Sequence, residues 1–340
     1  MDRSNLSFLL FVPLVLLASC TGGRSVKSSN RNYILQASHD TAILDGVLTV
    51  NKLFIVDSCL AVLSQQEPYF NFYDLDNYQP ISRFGLKGRA YGEYLSEPKG
   101  VNYVDNAFQC YDHSLKALLL VSPKDGSMQK MSIPYEFDFR PVNAVLINDK
   151  VVSAGCFGSG IIGYVNGDGS YHFCNEDYPF DTSEITGVQR GVYFQSEITA
   201  APTRNRFILR LYASDCFGIY EVMDHSVEKI FLNDFTSVPV VEGSRINLKK
   251  SKAGYIRSYV DDDYVYLMKS SESYQEVSGR GLVSNMIDVF NWDGGYVGTL
   301  TLDVEVGAFC VNNHYLYAAK ECDSGSTVVR IDISGLMSTL

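Results

Sequence analysis

From residue 33 onward, short apolar runs are separated by brief polar breaks, and within many runs apolar and polar positions alternate with a period of two. That period belongs to half-buried β-strands, and no long stretch carries the three-to-four-residue period of a helix. The polar breaks fall into two alternating kinds. The first sits between two strongly apolar runs, at Asn51-Lys52, Asp105-Asn106, Asn148-Asp149, Thr203-Arg204-Asn205, Asp261-Asp262-Asp263 and Asn312-Asn313. Asn and Asp suit such bends because they tolerate positive φ and hydrogen-bond their own backbone. The second kind follows each of the first, at residues 74–77, Lys124-Asp125-Gly126, residues 166–169, Asp224-His225-Ser226, Asp293-Gly294-Gly295 and Ser334-Gly335. Breaks of the first kind recur at intervals of about 43 to 58 residues. A four-stranded antiparallel unit repeated at such a spacing is the pattern of a β-propeller blade.

The pattern predicts an all-β chain: a six-bladed β-propeller over residues 33–340, with insertions in the fourth and fifth blades. A β-sandwich, or two in tandem, is the alternative that also has many short strands. The sixth unit lacks a good outer strand, and residues 33–37 have no partner of their own. The N-terminal strand at 33–37 is therefore expected to close the last blade, which removes an exposed sheet edge. Residues 286–303 read as the outer half of blade five. This puts Trp292, the one tryptophan, by an outer turn at the rim.

Residues 1–19 read as a signal peptide: Arg3, then an apolar run over 6–17 too short to span a bilayer as a helix, then Leu17-Ala18-Ser19 before Cys20. A Cys directly after small residues resembles the lipobox of bacterial lipoproteins, in which the thiol of Cys20 would carry a lipid. Residues 20–32 are rich in Gly, Ser and Asn with no apolar period, as in a flexible tether.

Residues 84–101, FGLKGRAYGEYLSEPKGV, bridge the first blade and the second. Gly85, Gly88, Gly92-Glu93 and Pro98 stand where the TolB-like six-bladed propeller lipoproteins carry a Gly-x-Gly-Pro-Gly-Glu-like stretch followed by Pro. The chain resembles that family over nearly its whole length, although Ala90-Tyr91 replaces the usual Gly-Pro. The resemblance implies the propeller fold and an exported, lipid-anchored protein. It implies no activity, ligand or catalytic residue.

Composition narrows the function further. The formal net charge is −11, which gives no electrostatic reason to bind nucleic acid. Seven cysteines remain beyond Cys20, an odd number without a CxxC pair, which favours buried free thiols over a disulfide frame or a zinc site. Gly158-Ser159-Gly160-Ile161-Ile162-Gly163 matches GxGxxG, but a hairpin pattern follows it instead of the helix a dinucleotide site needs. No GxSxG is present, and the five histidines form no recognisable triad. Glu93, Glu97 and Asp57 are the carboxylates a glycosidase-type reaction could use. No cofactor or metal is called for.

The function expected from these features is a membrane-tethered binding module for a protein partner or glycan in the cell envelope. The chain is expected to be a monomer, anchored at Cys20 in the outer membrane and facing the periplasm. Arg83, Arg89, Tyr91, Glu93 and Lys99 form the candidate binding loop. A hydrolase or lyase with a carboxylate or metal site in the propeller funnel is the competing class.

Overall fold

The computed structural model describes residues 31–36, 41–90, 92–133, 140–156, 160–174, 193–243, 245–312, 314–322 and 325–337. Among these, six four-stranded antiparallel units follow one another in a ring. Their first strands are Val50–Val56, Asn102–Val104, Arg140–Ile147, Ser196–Ala200, Lys252–Val260 and Ala308–Val311. These first strands contact one another across blades and line the centre. In the first five blades the next three strands step outward in chain order. The β-sandwich alternative is thereby excluded.

Six buried apolar clusters hold the described residues together, one between each pair of neighbouring blades. Successive side chains of a strand point to opposite faces. In blade one, Leu53 therefore packs towards blade six while Phe54 and Val56 pack towards blade two. Both faces of each inner strand are covered, so runs such as Cys59–Ser64 read as almost continuously apolar. The chain's only Trp belongs to this layer and not to the rim. Trp292 is buried between blades four and five, and its Nε1 donates to the Asp261 carbonyl at 3.0 Å.

Most predicted turns hold among the described residues, outside which Asn313 lies. Asp105 and Asn106 take φ of 49° and 60°, and Asn148 takes 56°, the left-handed values for which Asn and Asp are suited. Two do not. Asn51-Lys52 is not a turn: Val50 pairs with Ser64 and Lys52 with Leu63, which makes Asn51 a bulge within one continuous strand. The bend falls at Asp57-Ser58 instead, with Asp57 at φ 53°. A bulge and a turn both favour Asn beside a polar residue, and the sequence alone does not separate them. Ser334-Gly335 is likewise no hairpin bend and opens the short helix Ser334–Met337. A second short helix, Tyr274–Gly279, is closed at its start by reciprocal bonds between Ser273 and Glu276.

The N-terminal segment closes the ring, but one strand later than the sequence suggests. Thr41–Leu44 pairs antiparallel with Gly325–Asp332 as the fourth strand of blade six. Asn32–Leu35 instead runs parallel to the outer strand of blade five, from Asn32↔Thr299 to Leu35↔Leu302, and Ala37 lies outside the described residues. Burial explains the choice. Leu44 inserts into the cluster between blades six and one at 1% exposure, while Tyr33 and Leu35 stay half-buried. Ser326 then clasps the junction: its N–H donates to the Val47 carbonyl at 2.9 Å and its Oγ to the Leu48 carbonyl at 2.7 Å.

Candidate functional site

The inner strands leave a central channel whose two ends differ. At one end Lys52, Phe54, Ile55, Tyr103, Thr199 and Tyr259 surround a narrow space of about 80 Å³. Thr199 and Ser258 share a hydrogen bond of 2.7 Å there, and the Tyr259 hydroxyl donates to the Val311 carbonyl at 3.0 Å. At the other end a polar cavity of about 340 Å³ opens, lined by Lys52, Glu97, Lys99, Glu197, Tyr212 and Arg257 among others.

Buried amides fix the strands that carry this mouth. Asn102 of blade two donates to the Ile198 carbonyl and accepts from the Ala200 N–H. Asn143 of blade three donates to the Ser196 carbonyl and accepts from the Ile198 N–H. The inner strand of blade four would otherwise present an unpaired edge to the channel. With that edge satisfied, Glu197 is held at a defined depth.

Glu197 is the centre of the charged group. Arg210 Nη2 donates to its Oε2 at 2.5 Å, and Lys52 Nζ donates to its Oε1 at 3.4 Å. Arg210 is almost fully buried and also donates from Nη1 to the Tyr255 carbonyl at 2.6 Å, with its guanidinium 5.0 Å from the Tyr212 ring centre. Lys52 donates further to the Val101 carbonyl at 3.0 Å. Arg257 donates from Nε to the Gly307 carbonyl at 3.0 Å.

Burial by itself would raise the Glu197 carboxyl. The charges of Lys52, Arg210 and Arg257 outweigh it and hold Glu197 at about 2. Burial depresses Lys52 and Arg257 against the opposing pull of Glu197, and it pushes Tyr212 up to about 12. Glu197 is therefore a carboxylate throughout the physiological range. Both its oxygens are engaged, so it is poorly placed to attack a substrate or to carry a proton. Three cations around one carboxylate leave a local excess of positive charge, inside a chain whose net charge is −11.

The candidate loop residues are spread out. Lys99 reaches the cavity. Arg83 lies on the outer strand Pro80–Phe84 and donates to the Asp45 carbonyl and carboxylate at 2.6 and 3.0 Å. Glu93 accepts from the Ala90 N–H at 2.8 Å within its own loop. Its carboxylate fills the space beside Gly88 that a Cβ there would need. Arg89 is exposed to solvent, and Tyr91 lies outside the described residues, as does Cys20. Glu97 lines the cavity and accepts from Asn51 Nδ2 at 2.5 Å.

The other candidates take structural places. Asp57 sits in the first turn. The predicted bend at Asp261-Asp262-Asp263 is capped from within, Asp261 Oδ1 accepting from the N–H groups of Asp263 and Tyr264. Ile162–Val165 is a strand of blade three, so the glycines before it lead into a sheet and not a helix; Gly158 and Ser159 lie outside the described residues. Cys59, Cys110, Cys216 and Cys310 are free thiols, the last three of them buried.

The residues at the mouth that sequence reasoning passed over are Lys52, Glu197, Arg210 and Arg257. Their signal was a single charge inside an apolar strand run, as in Ile208-Leu209-Arg210-Leu211.

A model of the TolB-like 6-blade propeller-like family matches residues 53–314. Among solved structures, the chain is similar in fold to a Bacteroides fragilis protein described as exported. The two are 12% identical, with a TM-score of 0.56, over 88% of this chain and 99% of that one. The WD40 domain of Neurospora crassa Pan2 aligns over 84% of this chain and 89% of its own at 6% identity, with a TM-score of 0.45. BamB from Moraxella catarrhalis aligns over 82% and 71% at 10% identity, with a TM-score of 0.34. No curated protein matches the chain in sequence.

Proposed function

The chain belongs to the TolB-like six-bladed propeller family, and we propose that it is an exported, lipid-anchored binding module of the cell envelope. Residues 1–19 are removed as a signal peptide, Cys20 carries the lipid, and residues 20–32 tether the propeller to the periplasmic face of the outer membrane. The lipobox at Leu17–Cys20 supports the anchor. The export ascribed to the fold-similar Bacteroides fragilis protein agrees with that compartment.

One observation carries the binding reading: both oxygens of Glu197 are held by Arg210 and Lys52, at the floor of an open polar cavity. A glycosidase-type channel needs a pair of carboxylates with separated proton affinities, one of them free to give up a proton. Glu197 is locked in the ionised state, and Glu97 is tied to Asn51 at the rim. Charge held rigidly at the base of a cavity suits recognition.

The test is capture of partners by cross-linking the intact lipoprotein in its native envelope, comparing wild type with Lys99→Glu at the mouth and Arg83→Ala at the rim. Capture should fall for the first and persist for the second; equal capture by both overturns the assignment of the binding face. Replacing Cys20 by Ala should release the protein from the membrane fraction, and retention there overturns the anchor.

A further inference from the structure

Arg257 has hydrogen-bonding capacity that the fold leaves unused. Its Nε is committed to the Gly307 carbonyl, which fixes the plane of the guanidinium. Its two terminal nitrogens donate to nothing among the described residues, and they are not sealed from solvent. Arg257 lines the 340 Å³ cavity together with Lys52, Glu197 and Tyr212. Arg257 makes no direct ion pair with Glu197, whose two oxygens accept from Lys52 and Arg210. Lys52 has two acceptors, Val101 and Glu197, for three ammonium protons.

A half-buried guanidinium that has no direct ion pair, and that shares the one carboxylate of the group with two other cations, is an unfavourable arrangement for stability alone. A planar fork with both terminal N–H edges open matches an oxyanion, which it binds with two parallel hydrogen bonds. We propose that the cavity binds a small anionic ligand through a carboxylate or phosphate group seated on the terminal nitrogens of Arg257, with the spare proton of Lys52 as a further donor. The ligand is a compact molecule, because the cavity lies at the small end of the range of about 300 to 1,000 Å³ for ligand pockets. Leu63, Pro98, Val101 and Leu282 give it apolar walls above the charged floor, so the group beyond the anion packs against carbon. This ligand class rests on the reading of the channel mouth as the recognition face.

The mature lipoprotein in detergent is titrated calorimetrically with D-glucuronate, inorganic phosphate and uncharged glucose. Binding of glucuronate or phosphate, but not of glucose, is expected, and whichever anion binds names the source chemistry. Arg257→Gln should weaken that binding by about tenfold to a hundredfold, the loss expected for hydrogen bonds to a charged group. Arg257→Lys keeps the charge without the fork and should fall between. Arg83→Gln at the rim should bind as wild type. Melting temperatures of all variants separate lost binding from lost folding, and Arg257→Lys keeps the proposal open to refutation if the Gln variant does not fold.

Failure of both anions to bind at about 10 mM overturns the ligand class, as does equal affinity for glucose or unchanged binding by a folded Arg257 variant. If envelope capture still depends on Lys99 in that case, the binding module stands and only its ligand chemistry falls. If an anion binds through Arg257 while capture ignores the mouth, the site stands and the module reading falls.

Discussion

The two ends of the central channel are built by the same inner strands and solve opposite problems. At the narrow end, Phe54, Tyr103, Tyr259 and Val260 take up most of the space beside Lys52; Thr199 pairs with Ser258, Tyr103 with the Asn106 side chain and Tyr259 with the Val311 carbonyl. At the wide end, Lys52, Arg210 and Arg257 gather round Glu197, and about 340 Å³ stays open. Apolar side chains could seal either end, and replacing buried ion pairs by packed carbon is often neutral or stabilising. The narrow end shows that carbon and hydroxyls can take up most of this channel. Charge at the wide end is therefore the feature that the proposed recognition role would use.

The sharpest way to break that contrast is to remove one charge at each depth. Glu197→Ala should destabilise the protein by roughly 3 to 5 kcal/mol, because it leaves buried Arg210 and half-buried Lys52 and Arg257 without the carboxylate they share. Thr199→Val at the narrow end removes one hydroxyl partner of Ser258 and should cost about 1 to 2 kcal/mol. Urea unfolding midpoints compare the two directly. Equal losses would mean that Glu197 is an ordinary polar contact and not the centre of a charged group.

Acid should separate the ends next. The folded carboxyl of Glu197 is held at about 2 against an ordinary 4.5, a depressed value. Its contribution is therefore present above about pH 4.5 and is lost as pH falls towards 2. The difference is worth about 3 kcal/mol at about 1.4 kcal/mol per pH unit. Wild type should lose more stability than Glu197→Gln between about pH 5 and 3. Parallel curves for the two proteins would remove Glu197 from the acid response.

This contrast also marks how much the sequence could say. The propeller was legible because each blade writes its own signal locally: Asp105-Asn106 and Asn148 sit in turns whose backbone demands those residue types. Trp292 was harder, because a residue next to an outer turn can still send its ring inward between blades. The mouth was not legible, because Lys52, Glu197, Arg210 and Arg257 come from blades one, four and five and meet only when the ring closes. Lys52 was further hidden by the bulge at Asn51, which imitates a turn. The one local clue was a lone charge in an apolar run. Read alone it fits a satisfied core residue, and Arg210 is that at its terminal nitrogens, which meet Tyr255 and Glu197, while its buried Nε has no partner among the described residues.

At the narrow end a smaller effect is expected from Tyr259→Phe. It deletes the hydroxyl that donates to the Val311 carbonyl and leaves the ring in place. Loss of one such bond should lower stability by about 1 kcal/mol and leave anion binding at the wide end unchanged. A change in affinity with this variant would show that the two ends are coupled through the inner strands.

The smallest effect should come from the rim. Arg83 and Asp45 form an ion pair at 3.0 Å, much as Arg210 and Glu197 do at 2.5 Å. Exposure separates the two pairs: the side chains are 32% and 79% exposed at the rim, against 1% and 16% in the channel. Water screens the first pair and competes for its donors, so Arg83→Ala should cost about 0.5 kcal/mol, in the range of exposed pairs. The same bond also ties the outer strand of blade one to the turn that follows the closing strand Thr41–Leu44. A double-mutant cycle of Arg83→Ala and Asp45→Ala measures the pair free of that second role. A coupling above about 1 kcal/mol would show that the pair helps to hold the ring closed, and burial would then no longer be what sets the channel pair apart.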